Sequence, residues 1–314
     1  MLRLNEHWVW DSWYFDDGEY FHCFFLKAPR SLIDPQLRHL QASVGHARSK
    51  DLKNWEVLQD ALAHSESPAF DQNATWTGSV VLNPADGLYY MFYTGATKNE
   101  RGVVQSIGFA TSKDLIFWEK YSNNPVLVAD SNLYTTQENG DENTDCRDPW
   151  IFYLESDNKW HMTFTANKIG EDFLHRGVVG HAISDDLKNW KITSALSPAS
   201  GFGQVEVTQL VEISGKWVLI FCCSSFNFDE EKKKKFITAT FSCPAAGPLG
   251  PFSFEKSEMI SPNLIYAGRI VQDRNGDWNL LGFKAGENDS KAECWISDPI
   301  PVTLTEAGVL VSRI

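Results

Sequence analysis

Basic residues are scarce in this chain. Its 314 residues include 28 Lys and Arg against 41 Asp and Glu, a formal net charge of −13. Surfaces that hold nucleic acid or anionic lipid need a basic footprint, so neither is an expected partner. The one basic run, Lys232–Lys235, follows Asp229, Glu230 and Glu231 and reads as a solvated hairpin tip. Long apolar runs are missing too: none reaches the ~18 residues of a membrane-spanning helix. The opening MLRLNEHWVWDSW has neither an apolar core segment nor a small-residue cleavage site. No signal peptide is therefore expected, and a cytoplasmic location is. Six cysteines (Cys23, Cys146, Cys222, Cys223, Cys243, Cys294) show no metal-ligand spacing, and buried, reduced thiols are the expectation. No Pro-, Gly- or Ser-rich linker and no convincing helical pattern interrupts the chain, which leaves residues 1–314 as a single all-β domain.

Aromatic residues, by contrast, are plentiful: 13% of the chain, with 12 Trp. One phrase also recurs, as GHARSKDLKNWEV (Gly45–Val57), GFATSKDLIFWEK (Gly108–Lys120) and GHAISDDLKNWKI (Gly180–Ile192). A unit recurring at roughly 60–70 residues is too long for a helical repeat and suits a four-stranded propeller blade. Five aromatic and β-branched runs support five blades: Gly18–Ala28, Leu88–Ala96, Lys159–Asn167, Lys216–Ser225 and Asp277–Ala285. The expected fold is a five-bladed β-propeller of four-stranded antiparallel blades around a central funnel. Within each phrase Ser-x-Asp-Leu reads as a tight turn, so Asp51, Asp114 and Asp186 are structural. His46 and His181 share a packing slot, and Trp55, Trp118 and Trp190 wedge between blades. Leu2-Arg3-Leu4 is expected to pair with Val309–Val311 and close the ring.

A propeller gathers residues from distant sequence positions around one axis, so the informative carboxylates are those that break the repeat near a blade's first strand. Three do: Asp11 in Trp10-Asp11-Ser12-Trp13, Asp148 in Cys146-Arg147-Asp148-Pro149-Trp150, and Glu206 within the alternating strand Gly203–Leu210. Each alone has a plain structural explanation. Together they supply what glycoside hydrolysis needs: a nucleophile, a proton donor and a group that steadies developing positive charge. The surplus Trp8, Trp10, Trp13, Trp76 and Trp150 lie near these acids and offer faces for sugar rings.

These segments resemble glycoside hydrolase clan J, the five-bladed propellers of families 32 and 68 that include invertases, fructosidases and levansucrases. Trp10–Trp13 is similar to the family 68 nucleophile motif. Trp76-Thr77-Gly78-Ser79, Phe92-Tyr93-Thr94-Gly95 and Arg147-Asp148-Pro149 match segments common to both families. Val207-Thr208 departs from the residues that usually follow the acid/base Glu, and the C-terminal β-sandwich typical of family 32 is not expected within these residues. The resemblance implies Asp11 as nucleophile, Asp148 as transition-state stabiliser and Glu206 as acid/base. Trp76 and Arg147 would bind sugar, with Trp10 and Thr77 beside them. It implies a β-fructofuranoside substrate such as sucrose or a fructo-oligosaccharide, retention of configuration, and no cofactor. Carboxyl oxygens of Asp11 and Glu206 would then stand ~5–5.5 Å apart rather than ~6.5–9.5 Å. Two other readings stay open: an inverting furanosidase like the family 43 propellers, acting on arabinose or xylose linkages, and a catalytically silent carbohydrate-binding propeller. The acidic stretch Glu138–Asp145 has the hard oxygens that Ca²⁺ takes, against the simpler reading of a solvated loop beside the pocket.

Overall fold

The computed structural model describes residues 1–261, 263–285 and 294–313. Its strands form five four-stranded antiparallel sheets. Blade I comprises β1 (His7–Asp16), β2 (Phe21–Pro29), β3 (Ser43–Ser49) and β4 (Glu56–Val57). Blade II comprises β5 (Ala74–Asn83), β6 (Leu88–Lys98), β7 (Val103–Ser112) and β8 (Glu119–Lys120). Blade III holds β9 (Arg147–Leu154), β10 (Lys159–Asn167), β11 (Gly177–Ser184) and β12 (Trp190–Thr193). Blade IV holds β13 (Glu206–Ile213), β14 (Lys216–Cys223), β15 (Ala239–Ala245) and β16 (Glu258–Met259). Blade V holds β17 (Ile265–Gln272), β18 (Trp278–Lys284), β19 (Ile300–Leu304) and β20 (Leu310–Ser312). The first strand of each blade packs on that of the next, and β17 packs on β1, so the sheets close into a five-bladed propeller. The five aromatic runs of the sequence are the second strands.

The repeated phrase is a third strand and the turn that follows it. Asp51, Asp114 and Asp186 each accept two backbone N–H bonds from the residues two and three further on. That satisfies the turn locally. The next residue, Leu52, Leu115 or Leu187, is held at φ 62°, 65° and 65° and is fully or almost fully buried, so core packing offsets the left-handed backbone. The phrase's glycine has a steric reason. A Cβ on Gly45, Gly108 or Gly180 would come within 2.4, 2.4 and 2.5 Å of the rings of Phe25, Phe70 and Phe164. Trp118 meets Phe24 of blade I edge-on, and Trp190 meets Phe92 of blade II, so each wedges against the preceding blade.

Two expectations are corrected. Ring closure does not use Val309–Val311: β20 pairs with β19 at the outer edge of blade V, burying Leu310 among Val302 and Ile260. The latch is Leu2, which exchanges both backbone hydrogen bonds with Ile296 at 3.0 Å and buries among Val9, Phe25 and Ala47. The basic run is not a hairpin tip but the last turn of a short helix, α1 (Glu230–Lys235). Asp229 caps it by accepting from the Lys232 N–H, and the acidic start and basic end complement the helix dipole.

Candidate active site

All five first strands break register at the same level. The irregularity falls between Val9 and Ser12, Trp76 and Gly78, Arg147 and Trp150, Glu206 and Gln209, and Tyr266 and Arg269. A bulge bends its strand and re-aims side chains. Here it turns two tiers toward the axis. The outer tier is Trp10, Trp76, Arg147, Glu206 and Tyr266; the inner tier is Asp11, Thr77, Asp148, Val207 and Ala267. All but Ala267 line one cavity of about 440 Å³. Asp148, Val207 and Ala267 sit at φ 57°, 53° and 48°, a conformation non-glycine residues seldom adopt and one that concentrates at functional sites. In blade II the position after Thr77 must be glycine, because a Cβ on Gly78 would lie 2.1 Å from the Phe92 carbonyl oxygen.

Asp11, Asp148 and Glu206, read from sequence as a trio, therefore meet at one floor. Each has its own supports. Asp11 Oδ2 accepts from Thr77 Oγ1 at 2.5 Å. Asp148 Oδ2 accepts from Thr165 Oγ1 at 2.8 Å and from the Val207 N–H at 3.2 Å, while its own N–H donates to Thr94 Oγ1 at 2.9 Å. Glu206 Oε1 accepts from Arg147 Nη2 at 2.6 Å, and Oε2 accepts from the Tyr266 hydroxyl. Burial pushes the Asp11 carboxyl up to about 7, with the nearby Asp148 charge adding to it and the Thr77 hydrogen bond opposing. Burial raises Asp148 as well, against the pull of Arg147.

Arg147 is tied to the acids around it. Nη1 donates to Asp145 Oδ1 (2.6 Å) and Gln105 Oε1 (3.2 Å), and Nη2 to Glu206 Oε1 and Gln204 Oε1 (3.1 Å). Nε stands 3.5 Å from Asp148 Oδ2. Burial works against the charge, but Asp145, Glu206 and Asp148 outweigh it and keep the guanidinium protonated. With its N–H groups so committed, Arg147 orients Glu206 and Asp148 before it can meet a sugar. Trp76 spends its indole N–H on the His39 carbonyl at 2.6 Å, which leaves the ring as wall. Trp10 is buried beside His39, with the Arg38 guanidinium 5.6 Å from its ring centre. At the rim, Phe226 is 70% exposed and lines the mouth with Ser224 and Thr238.

Tyr266, Gln105, Gln204 and Thr165 escaped the sequence reading, and Asp145 entered it only within the acidic stretch Glu138–Asp145. Tyr266 had a signal: aligning the first strands places it in the slot of Glu206 and Trp10. Gln105 of blade II and Gln204, just ahead of blade IV, reach Arg147, while Thr165 holds Asp148 from the next strand of the same blade, and no linear pattern marks any of them. Within Glu138–Asp145, Asp141 pairs with Arg176, and Glu138 accepts from Ser131. Asp145 accepts from Arg147, Asn167 and Gln204. The oxygens thought available to Ca²⁺ are thus hydrogen-bond acceptors in a loop that frames the pocket. Among the described residues no group of three or more acidic, His or Cys side chains converges on a metal position.

Residues 11–293 match the family model described as the glycosyl hydrolases family 32 N-terminal domain. An acid β-fructofuranosidase of Vicia faba is 29% identical over 277 residues, covering 81% of this chain and 40% of that protein. The chain thus spans less than half of that relative's length. A family 32 β-fructofuranosidase of Bombyx mori superposes with TM-score 0.70 at 20% identity, over 97% of this chain and 64% of the other. Levansucrase of Bacillus subtilis superposes with TM-score 0.72 at 15% identity, over 99% and 88%. Those two likenesses concern the fold.

Proposed function

Because the chain belongs to glycosyl hydrolase family 32, we propose that it is a retaining glycoside hydrolase or transglycosylase acting on β-fructofuranosides such as sucrose or fructo-oligosaccharides. The observation that carries this reading is the convergence of Asp11, Asp148 and Glu206, from blades I, III and IV, on one cavity floor. A carboxylate oxygen of Asp11 attacks the anomeric carbon as Glu206 passes a proton to the departing glycosidic oxygen. The C–O bond breaks and a fructosyl ester forms. Glu206 then takes a proton from water or from an acceptor sugar hydroxyl, whose oxygen displaces Asp11. Asp148, fixed by Thr165 and the Val207 N–H, faces the ring hydroxyls and steadies the cationic transition state. Attack requires Asp11 ionised, and the Thr77 hydroxyl favours that form.

Trp76 and Trp10 wall the fructosyl site, and the exposed Phe226 ring offers a face to a second sugar. A cytoplasmic location is part of the proposal, supported by six buried cysteines, of which Cys23, Cys146, Cys222, Cys223 and Cys243 are free thiols. The test is proton NMR of the first-formed anomer during turnover of sucrose and short fructans. β-Fructofuranose as first product is expected. An inverted product would overturn the retaining mechanism, and sugar binding with no turnover would favour a silent module.

A further inference from the structure

Arg269 lies on β17 just past the blade V bulge and is 1% exposed. Among the described residues it has no carboxylate ion-pair partner; its contacts are carbonyls and a ring. Nη1 donates to the Thr208 carbonyl at 2.6 Å and the Val207 carbonyl at 3.2 Å, and Nη2 to the Gly78 carbonyl at 3.4 Å. Its guanidinium stands 5.2 Å from the Trp150 ring centre, and its Nε–H has no protein acceptor. One side chain of blade V thus reaches across the axis to blades II, III and IV.

The carbonyls it holds are not incidental. Val207 is the left-handed residue whose N–H donates to Asp148, and Gly78 follows Thr77, whose hydroxyl donates to Asp11. Burying an unpaired cation is costly, and such a cation is tolerated where other charges compensate. The groups whose fields act on Arg269 are Asp148, Cys222, Asp11 and Tyr14, in falling order. The aspartates in turn face each other, Glu206 and, for Asp148, Arg147.

We infer that Arg269 is a positioning residue for the two aspartates: it clamps the bulges of β5 and β13, whose Thr77 and Val207 hydrogen-bond Asp11 and Asp148, and supplies a buried positive charge near both. This inference rests on the reaction proposed above. Burial pulls the Arg269 guanidinium down only to about 10, so it is charged throughout the working range.

The experiment compares R269K and R269M with the parent protein. It reads the pH dependence of kcat/KM on sucrose and, separately, the carboxyl titrations of ¹³C-labelled aspartate. R269M removes charge and clamp, and is expected to raise both the acid limb and the Asp11 and Asp148 midpoints by about one pH unit. R269K keeps the charge without the three-carbonyl hold. Its limb should stay within a few tenths of a unit of the parent, with kcat reduced roughly tenfold and KM changed less. A residue that merely packs would lower thermal stability without moving either titration. Parent-like limb and titrations in folded R269M would overturn the inference; if R269M does not fold, parent-like kcat in R269K would do so. Should Asp11→Asn retain activity, the proposed reaction fails, yet the carboxyl titrations still judge Arg269.

Discussion

Asp11 carries a charge where charge is costly. Its folded-state carboxyl is raised to about 7 from an ordinary 3.8, so the native protein binds a proton more tightly than the unfolded chain does. The stability this contributes is full below about 4 and is lost as pH rises through about 7. Asp11→Asn removes the ionisation. At pH 8.5 it should melt above the parent, by at most about 4 kcal/mol in free energy, and at pH 4 the two should coincide. Its activity on sucrose should fall roughly 10³-fold or more. Differential scanning calorimetry at the two pH values, with initial rates, checks both halves. A lower melting point at pH 8.5 would mean that Asp11 supports the fold and is not strained by it. The three acids were legible in sequence because each interrupts a repeat whose other members are structural. Their supports were not, because Tyr266 of blade V meets Glu206 and Gln105 of blade II meets Arg147 across blades, and such contacts leave no trace in local periodicity.

At the level of strands and turns, the recurring phrase could be read because its physics is local. An Asp accepting the next backbone N–H groups and a Gly beneath a ring depend on few neighbours. The bulges could not be read, since a register break is a relation between two strands. Histidine in the repeated slot shows a finer pattern. His22 Nδ1 lies 2.8 Å from His46 Nε2, and His161 Nδ1 2.9 Å from His181 Nε2. Asp17 and Asp157 close the outer ends at 3.1 Å. Burial, with the partner ring adding to it, lowers His46 to about 3 and His181 to about 4. These imidazoles stay neutral in the fold but protonate in the unfolded chain near 6.5, so their contribution is complete above 6.5 and drains away as pH falls toward 4. The melting temperature should drop across that window, by the equivalent of a few kcal/mol, and His46→Phe should flatten the drop. Urea midpoints at pH 7.5, 5.5 and 4.5 test this; parallel curves for the two proteins would exclude His46 as the cause.

For the whole molecule, five blades each drawn from a contiguous segment leave one junction without chain continuity, between blades V and I. Neither contains a strand borrowed from the other; Leu2 against Ile296 and the packing of β17 on β1 hold it. Leu2→Ala should cost about 2–4 kcal/mol, more than its place beside the first residue would suggest. Chemical denaturation read by tryptophan fluorescence measures this, and a loss under about 0.5 kcal/mol would show that the junction closes without it.

Blade I brings Asp11 to that junction, and blade V brings Tyr266 and Arg269. Three blades can keep their shape while this boundary parts, but the pit between them cannot. A molecule warmed until this seam loosens would therefore forfeit the proposed chemistry first and architecture later.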